Sequence, residues 1–348
     1  MQSKRNESGD SGAQGELALL REIRSRAAKR PSSGLRLGIG DDCALLRLGV
    51  GEEMAVTTDL SIAGHHFRLD WHPAESVGHR ALARGLSDLA AMGARPIAAF
   101  LSLGLPRELT HGVGRGPAWV TRFLSGLLAL AEASKTPLAG GDLAESPVAV
   151  ADIVLTGAVP RGKALLRSGA RPGDLLYVTG SLGGAAAGLA RLAALAEQTA
   201  SRKVRLQPPT IPKNLHDLLA PHLYPQPRIA QGLWLMRHGL ASAALDLSDG
   251  LSTDLAHLCE ESGVSAEVDA DALPLHPAAT LDQALHGGED YELLFAAPPA
   301  AKLPRKIAGV GIAKIGRIVK ARPGRAAATL LTAHGTKLLK PNGWEHFS

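Results

Sequence analysis

The sequence predicts two domains, each mixing strands with helices in an α/β or α+β arrangement. A chain of 348 residues is long enough for two cores, because single domains usually run about 100–200 residues. Strand-like and helix-like stretches alternate in both halves, as they do in sheets covered by helices. Between the halves, residues 160–174 are rich in glycine, proline and arginine, the composition of a domain junction.

In chain order, residues from Gly15 to Arg30 have helical spacing, and Pro31-Ser32-Ser33-Gly34 breaks it. Residues 54–58 read as a strand ending in Asp59, 74–92 as a helix, 97–103 as a buried strand after Pro96, 118–134 as a helix and 148–159 as an alternating strand. Beyond the junction come a strand at Leu175–Thr179, an alanine-rich helix at 183–198 and a proline-rich connection at 207–227. A helix at 229–237, a strand at 243–247, a helix at Leu251–Ser262 and strands near Val264, 291–296 and 312–319 follow. The expected division is a tail with first helix (1–30), an N-terminal domain (31–160) and a C-terminal domain (161–348).

Only 3% of residues are aromatic and 45% are apolar, so the cores should be close-packed and small-residue, and an exposed aromatic is a functional candidate. The net charge of +5 is scattered in groups such as Arg21, Arg24, Arg26, Lys29 and Arg30, interrupted by acids. A solvated surface, or attraction to a phosphorylated metabolite, explains this charge as well as a nucleic-acid-binding stripe would, and with no nucleic-acid motif present no nucleic-acid partner is expected. The two cysteines, Cys43 and Cys259, make no disulfide framework or zinc spacing, which suits a reducing cytoplasm. No apolar run reaches the roughly 18–20 residues that cross a bilayer, and the polar start has no signal-peptide apolar region. A cytoplasmic chain with no membrane association is expected.

The chemistry lies in aspartates at predicted strand ends or in glycine-rich turns: Asp41, Asp42, Asp59, Asp88, Asp142, Asp246 and Asp249. Any one of them could simply cap a turn or helix. As a set, Gly-Ile-Gly-Asp-Asp, Thr-Thr-Asp, Leu-Ser-Asp, Gly-Gly-Asp and Asp-Leu-Ser-Asp-Gly join carboxylates to hydroxyls or flexible backbone, a donor set that suits hard divalent cations. Carboxylates repel phosphate, so such a cluster beside a phosphate implies magnesium ions between them. No GxxxxGK[ST] loop exists, and Gly38-Ile39-Gly40 is only a fragment of a dinucleotide fingerprint.

The segments GIGDDCALL, TTDLSIAGHHF, LSDLAAMGA, AGGDL, LLRSGARPGD, LDLSDGLSTDL, GGEDYELLF and GWEHF, in that order from Leu37 to Phe347, resemble thiamine-monophosphate kinases. Several are shared with aminoimidazole-ribonucleotide synthetase and its superfamily; AGHHF, GGEDYEL and GWEHF narrow the resemblance to the kinase. It implies an N-terminal α/β domain with a mixed sheet and a C-terminal α+β domain. It also implies a homodimer formed through the N-terminal domains, with ATP near that interface. By resemblance, Asp41, Thr57, Thr58, Asp59, Asp88, Asp142, Asp246 and Asp249 would hold several magnesium ions, and Gly141, Asp142, Arg167 and Ser248 would face ATP. His66, beside His65, would face thiamine monophosphate with Glu289 and Trp344. Asp59, Asp88 and Arg167 would carry the chemistry, an in-line phosphoryl transfer giving thiamine diphosphate. The acceptor phosphate, with a second pKa of about 6, needs no strong general base near pH 7.

Overall fold

The computed structural model of the protein describes residues 16–27, 34–39, 43–112, 117–199, 208–321 and 328–344. The expected polar tail, Asp41, Asp42 and the closing Glu345-His346-Phe347 lie outside these residues. Helix α1 (Glu16–Ala27) precedes β1 (Leu35–Leu37) and β2 (Leu45–Leu46), an antiparallel ribbon. β3 (Glu52–Ile62), α2 (Ala74–Ala91), β4 (Arg95–Leu105), α3 (Trp119–Ala133), β5 (Leu138–Glu145) and β6 (Val150–Pro160) follow. Their strands join in the order β3-β6-β4-β5, antiparallel except for β4–β5. That parallel pair exists because α3 carries the chain back across the sheet, as parallel neighbours require. The result is the mixed sheet of an α/β domain.

The apolar spacing of α2 buries Val77, Ala81, Leu82, Leu86 and Leu89, and that of α3 buries Val120, Phe123, Leu124 and Leu127. The two helices cross with backbones in contact. A Cβ on Gly78 would sit 1.9 Å from the Phe123 carbonyl oxygen, and one on Gly126 1.8 Å from that of Glu75. α2 is therefore held close by α3, while other parts of its surface meet β3, β4 and β6.

The second half comprises β7 (Leu175–Thr179), α4 (Gly184–Thr199), α5 (His216–Leu223), α6 (Ile229–His238), β8 (Ala243–Asp246), α7 (Leu251–Ser262) and β9 (Val264–Asp269). It continues with α8 (Leu281–His286), β10 (Leu293–Ala297), β11 (Lys306–Ile307), β12 (Val310–Lys320), β13 (Ala328–Thr332) and β14 (Gly335–Leu339). The main strand order is β14-β13-β9-β12-β7-β10-β8, with β11 paired to β12. This is an α+β domain: only β13–β9 is parallel among the described pairs. α6 and β8 pack on α2, so one N-terminal helix lies against both halves and fixes residues of each around a common cleft.

Four local expectations need correction. β3 runs to Ile62 along its whole pairing with β6, so Asp59 is interior to the strand, not at its end. An edge strand tolerates that polar TTDLS run because one face meets the cleft. Asp88 lies in the last turn of α2, not at a strand end. Residues 138–145, where the sequence predicts no strand and places Gly140-Gly141-Asp142 among strand ends and glycine-rich turns, form β5. Gly141 there has φ +148, and a Cβ on it would meet the Leu101 carbonyl oxygen at 1.9 Å; the glycines mark a tight strand contact, not a turn. Finally, the proline-rich connection holds α5, with Pro221 inside it.

Candidate active site

A cavity of about 690 Å³ opens between the two halves and is lined by Asp59, Asp88, Asp246, Ser248, Asp249, His66, Glu289 and Trp344. These expected site residues, drawn from six separate stretches of sequence, therefore meet in one cleft. α2 sets their spacing. Arg80, Arg84 and Asp88 stand at successive four-residue steps of this helix, so they share a face at intervals of about 6 Å.

At the acidic end, Thr57 donates its hydroxyl to Asp88 Oδ2, and Ser87 donates to Asp246 Oδ2 at 2.6 Å. Asp59 on β3 has Arg84 Nε 3.5 Å from its Oδ1. Burial and the neighbouring Asp88 charge push the Asp59 carboxyl up to about 6. Burial, then Asp88, pushes Asp246 to about 7. Asp88 itself is raised by burial, although Thr57, Arg167 and Arg84 oppose the rise. Asp254, which sequence reading did not single out, accepts the backbone N–H of Asp249 at 3.1 Å and of Gly250 at 3.0 Å. Burial and the charges of Asp246 and Asp249 push it up to about 8. Such mutual repulsion among carboxylates partnered mainly by hydroxyls and backbone is relieved by a bound cation. Among the described residues no three His, Cys, Asp or Glu side chains are already closed into a metal cluster.

The other end of the cleft is built differently. Glu289, at φ +67, accepts both its bonds from Arg80 Nη2, at 2.5 and 2.6 Å. His222 Nδ1 stands 3.4 Å from Glu289 Oε2. Burial would raise the Glu289 carboxyl, but Arg80 and His222 outweigh it and hold it well below the usual carboxylate range. His222 also shares a 3.0 Å hydrogen bond with His72; burial and Arg80 push both imidazoles down, His72 to about 3. His66 Nδ1 accepts the Ile62 N–H at 3.1 Å, and its carbonyl accepts Arg80 Nη2 at 3.2 Å. Trp344 is 52% exposed and is tied to the cleft by its backbone N–H, which donates to the Asp249 carbonyl at 3.1 Å.

The GGEDYEL segment thus spreads its acids over three elements. Glu289 takes Arg80, Asp290 accepts the Gly183 and Ala185 N–H groups before and at the start of α4, and Glu292 takes Arg228 and the Thr179 hydroxyl.

Five expected residues among those described do not line this cleft; Thr57 reaches it only through its hydroxyl bond to Asp88. Thr58 alternates with Asp59 and lies on the opposite sheet face. Gly141 and Asp142 line a second cavity of about 370 Å³, with Ile23, Ile39, Cys43 and Phe100. Asp142 is in register with Ser102, Asp152 and Leu60 across the sheet, so it lies three strand spacings, roughly 14 Å, from β3. Arg167 is exposed in the segment joining the halves, near enough to Asp88 and Asp246 to lower their pKa values.

Sequence reading missed Arg80, Arg84, His72, His222, Tyr291 and Asp254. The four-residue spacing of Arg80, Arg84 and Asp88 was a visible signal. The pairing of His72 with His222, 150 positions apart, had none.

Comparison with known proteins agrees with this architecture. The family described as AIR synthase related protein, N-terminal domain, matches residues 40–159, and its C-terminal domain counterpart matches residues 171–327. Thiamine-monophosphate kinase of Salmonella typhimurium is 42% identical over 287 residues, 80% of this chain and 81% of that relative. The crystal structure of thiamine-monophosphate kinase from Stenotrophomonas maltophilia is 36% identical with a TM-score of 0.74, covering 91% of this chain and 97% of that one. AaThiL complexed with AMPPCP and TMP is 30% identical with a TM-score of 0.71, covering 96% of this chain and 97% of that one. With this likeness running through both domains and the cleft between them, the chain belongs to the thiamine-monophosphate kinase family.

Proposed function

We propose that this chain binds ATP and thiamine monophosphate in and beside the interdomain cleft and transfers the γ-phosphoryl group to the acceptor phosphate, releasing ADP and thiamine diphosphate. The observation that carries the reading is the two-ended cleft: carboxylates with hydroxyl partners at one end, and a held carboxylate, His66 and an accessible indole at the other. The complex of AaThiL with AMPPCP and TMP supports the same pair of ligands.

The donor set fits magnesium. Asp59, Asp88, Asp246 and Asp249, with Thr57, would hold it, and Asp41, Thr58 and Asp142 are proposed as further ligands. Bound there, it would neutralise charge on the phosphates. The chain's own residues do the rest. Ser248, Gly141, Asp142 and Arg167 are assigned to ATP, Arg167 as a cation for the transferring group. Glu289, His66 and Trp344 are assigned to the thiamine part: Glu289 is kept ionised by Arg80, and the indole face suits a thiazolium or aminopyrimidine ring. With the acceptor so held, its phosphate oxygen forms the new P–O bond as the bond between the γ-phosphorus and the bridging oxygen breaks.

The homodimer expected of the family is proposed to form through the open face of the N-terminal sheet. Met54, Val56 and Leu60 on β3 are 44%, 59% and 46% exposed, an apolar row on a strand edge of the kind that marks an interface. Thr58 and Asp142 share that face, so a second copy would cover these two assigned residues, which do not line the cleft. Residues 31–160 and 161–348 are proposed as the two domains. No helix among the described residues is long and apolar enough to cross a membrane, and with both cysteines free we assign the reaction to the cytoplasm.

A coupled ADP-release assay tests the function. ADP should appear only when ATP, magnesium and thiamine monophosphate are all present; release that ignores thiamine monophosphate contradicts it.

A further inference from the structure

We infer that Arg84 grips the phosphate of the acceptor, a contact that rests on the kinase reading above and specifies one part of its site. The acceptor's phosphate, largely a dianion near neutral pH, has to enter a cleft lined by Asp59, Asp88, Asp246, Asp249 and Glu289. That entry needs a cation with donors to spare.

Three arginines line the cavity, and two are committed elsewhere. Arg80 gives Nη2 to both oxygens of Glu289 and to the His66 carbonyl and Nη1 to His222, and its one unpartnered donor, Nε, is buried. Arg68, at the rim, donates Nε and Nη2 to Asp70 at 3.1 and 2.8 Å and lies 4.5 Å from the centre of the Trp71 ring. The cavity's buried histidines, His72 and His222, are held neutral by burial and Arg80. Arg84 differs: its contacts are long, 3.5 Å from Nε to Asp59 and 3.4 to 3.5 Å from Nη1 to the Ser61 hydroxyl and Leu60 carbonyl. Among the described residues no carboxylate lies closer to it than Asp59. A phosphate oxygen at ordinary charge-assisted hydrogen-bond distance, about 2.7–2.9 Å, would be the better partner.

Its place on α2 is the second argument. One helical step toward the N-terminus, Arg80 holds Glu289 at the organic end; one step toward the C-terminus, Asp88 joins the acidic end. Arg84 is midway, about 6 Å from each along the helix axis. A phosphomonoester whose organic part lies by Glu289 and whose phosphate reaches toward the carboxylates must pass Arg84.

Thiamine is thiamine monophosphate without the phosphate, so the contact can be isolated by calorimetric titration of each ligand without ATP at one magnesium concentration. Wild-type protein should bind thiamine monophosphate more tightly than thiamine. Arg84→Met, which keeps the aliphatic packing, should shrink that preference about tenfold while leaving thiamine affinity unchanged, the loss expected of one charge-assisted hydrogen bond. Arg84→Lys should fall between. A preference unchanged in Arg84→Met, or an equal loss for both ligands, overturns the assignment of Arg84 alone. A wild-type protein that binds neither ligand contradicts the kinase reading and this contact with it.

Discussion

Asp59 shows how a residue's cost to the fold can mark its use. Its carboxyl is pushed up to about 6 by burial and by Asp88, so at pH 7.5 its charge is a burden on the folded state. Asp59→Asn should therefore leave the melting temperature unchanged or higher. Turnover should drop at least about 100-fold, since losing a charged ligand of a phosphoryl-clamping metal forfeits several kcal/mol. Near wild-type turnover at low magnesium would refute the role. Trp344 admits a similar separation. A hydrophobic plug would be buried, whereas this indole is 52% exposed. Trp344→Ala should raise the KM for thiamine monophosphate about tenfold, with the ATP constant and melting little changed and Trp344→Phe restoring much of the loss. A strong fall in melting temperature with unchanged saturation would restore the plug. The residues to which roles are assigned could be named from the motifs that contain them; the partners that hold them could not. Nothing in the sequence near Glu289 points to Arg80, 209 positions away, because that pairing exists only once α2 and the 287–291 loop face each other.

At the scale of elements, the helices were the most legible parts. α2 and α3 have long apolar periodicity, and their observed ends lie within a residue of those expected. β5 was hidden because glycines that read as a turn serve instead to bring two strands together. α5 was hidden because Pro221 and its proline-rich flanks mask a short helix. The α2–α3 crossing gives a direct test: Gly126→Ala puts a Cβ 1.8 Å from a backbone oxygen, which no rotamer change relieves. It should destabilise by about 1–3 kcal/mol or more, read as a lower midpoint in chemical denaturation; an unchanged midpoint would show that the helices separate easily. The start of α7 gives a second. Asp254, Asp246 and Asp290 carry carboxyls raised to about 8, 7 and 7, so the folded state binds more protons than the unfolded one, and metal-free stability falls as pH rises through these values. His72 and His222, with depressed values, act in the opposite sense but below their unfolded value of about 6.5. Between pH 6.5 and 8.5 the melting temperature without magnesium should thus fall, and Asp254→Asn should flatten the slope. A flat or rising wild-type curve would contradict the buried-acid account.

For the whole molecule, α2 is the part on which both halves depend, lying against the N-terminal sheet, α6 and β8. Fold class was readable from alternation of elements and the 160–174 junction. The cleft was not, since it arises from how the halves meet. The open sheet face makes the assembly testable: Val56→Asp with Leu60→Asp should convert a dimer to a monomer in sedimentation, whereas a wild-type monomer would contradict the proposed interface. The central claim is the transfer itself, and its most direct measurement follows the label from γ-phosphorus-labelled ATP incubated with the protein, magnesium and thiamine monophosphate. The account predicts label in the terminal phosphate of thiamine diphosphate, one equivalent per ADP formed. Label recovered only as inorganic phosphate, or no thiamine diphosphate at all, would contradict it.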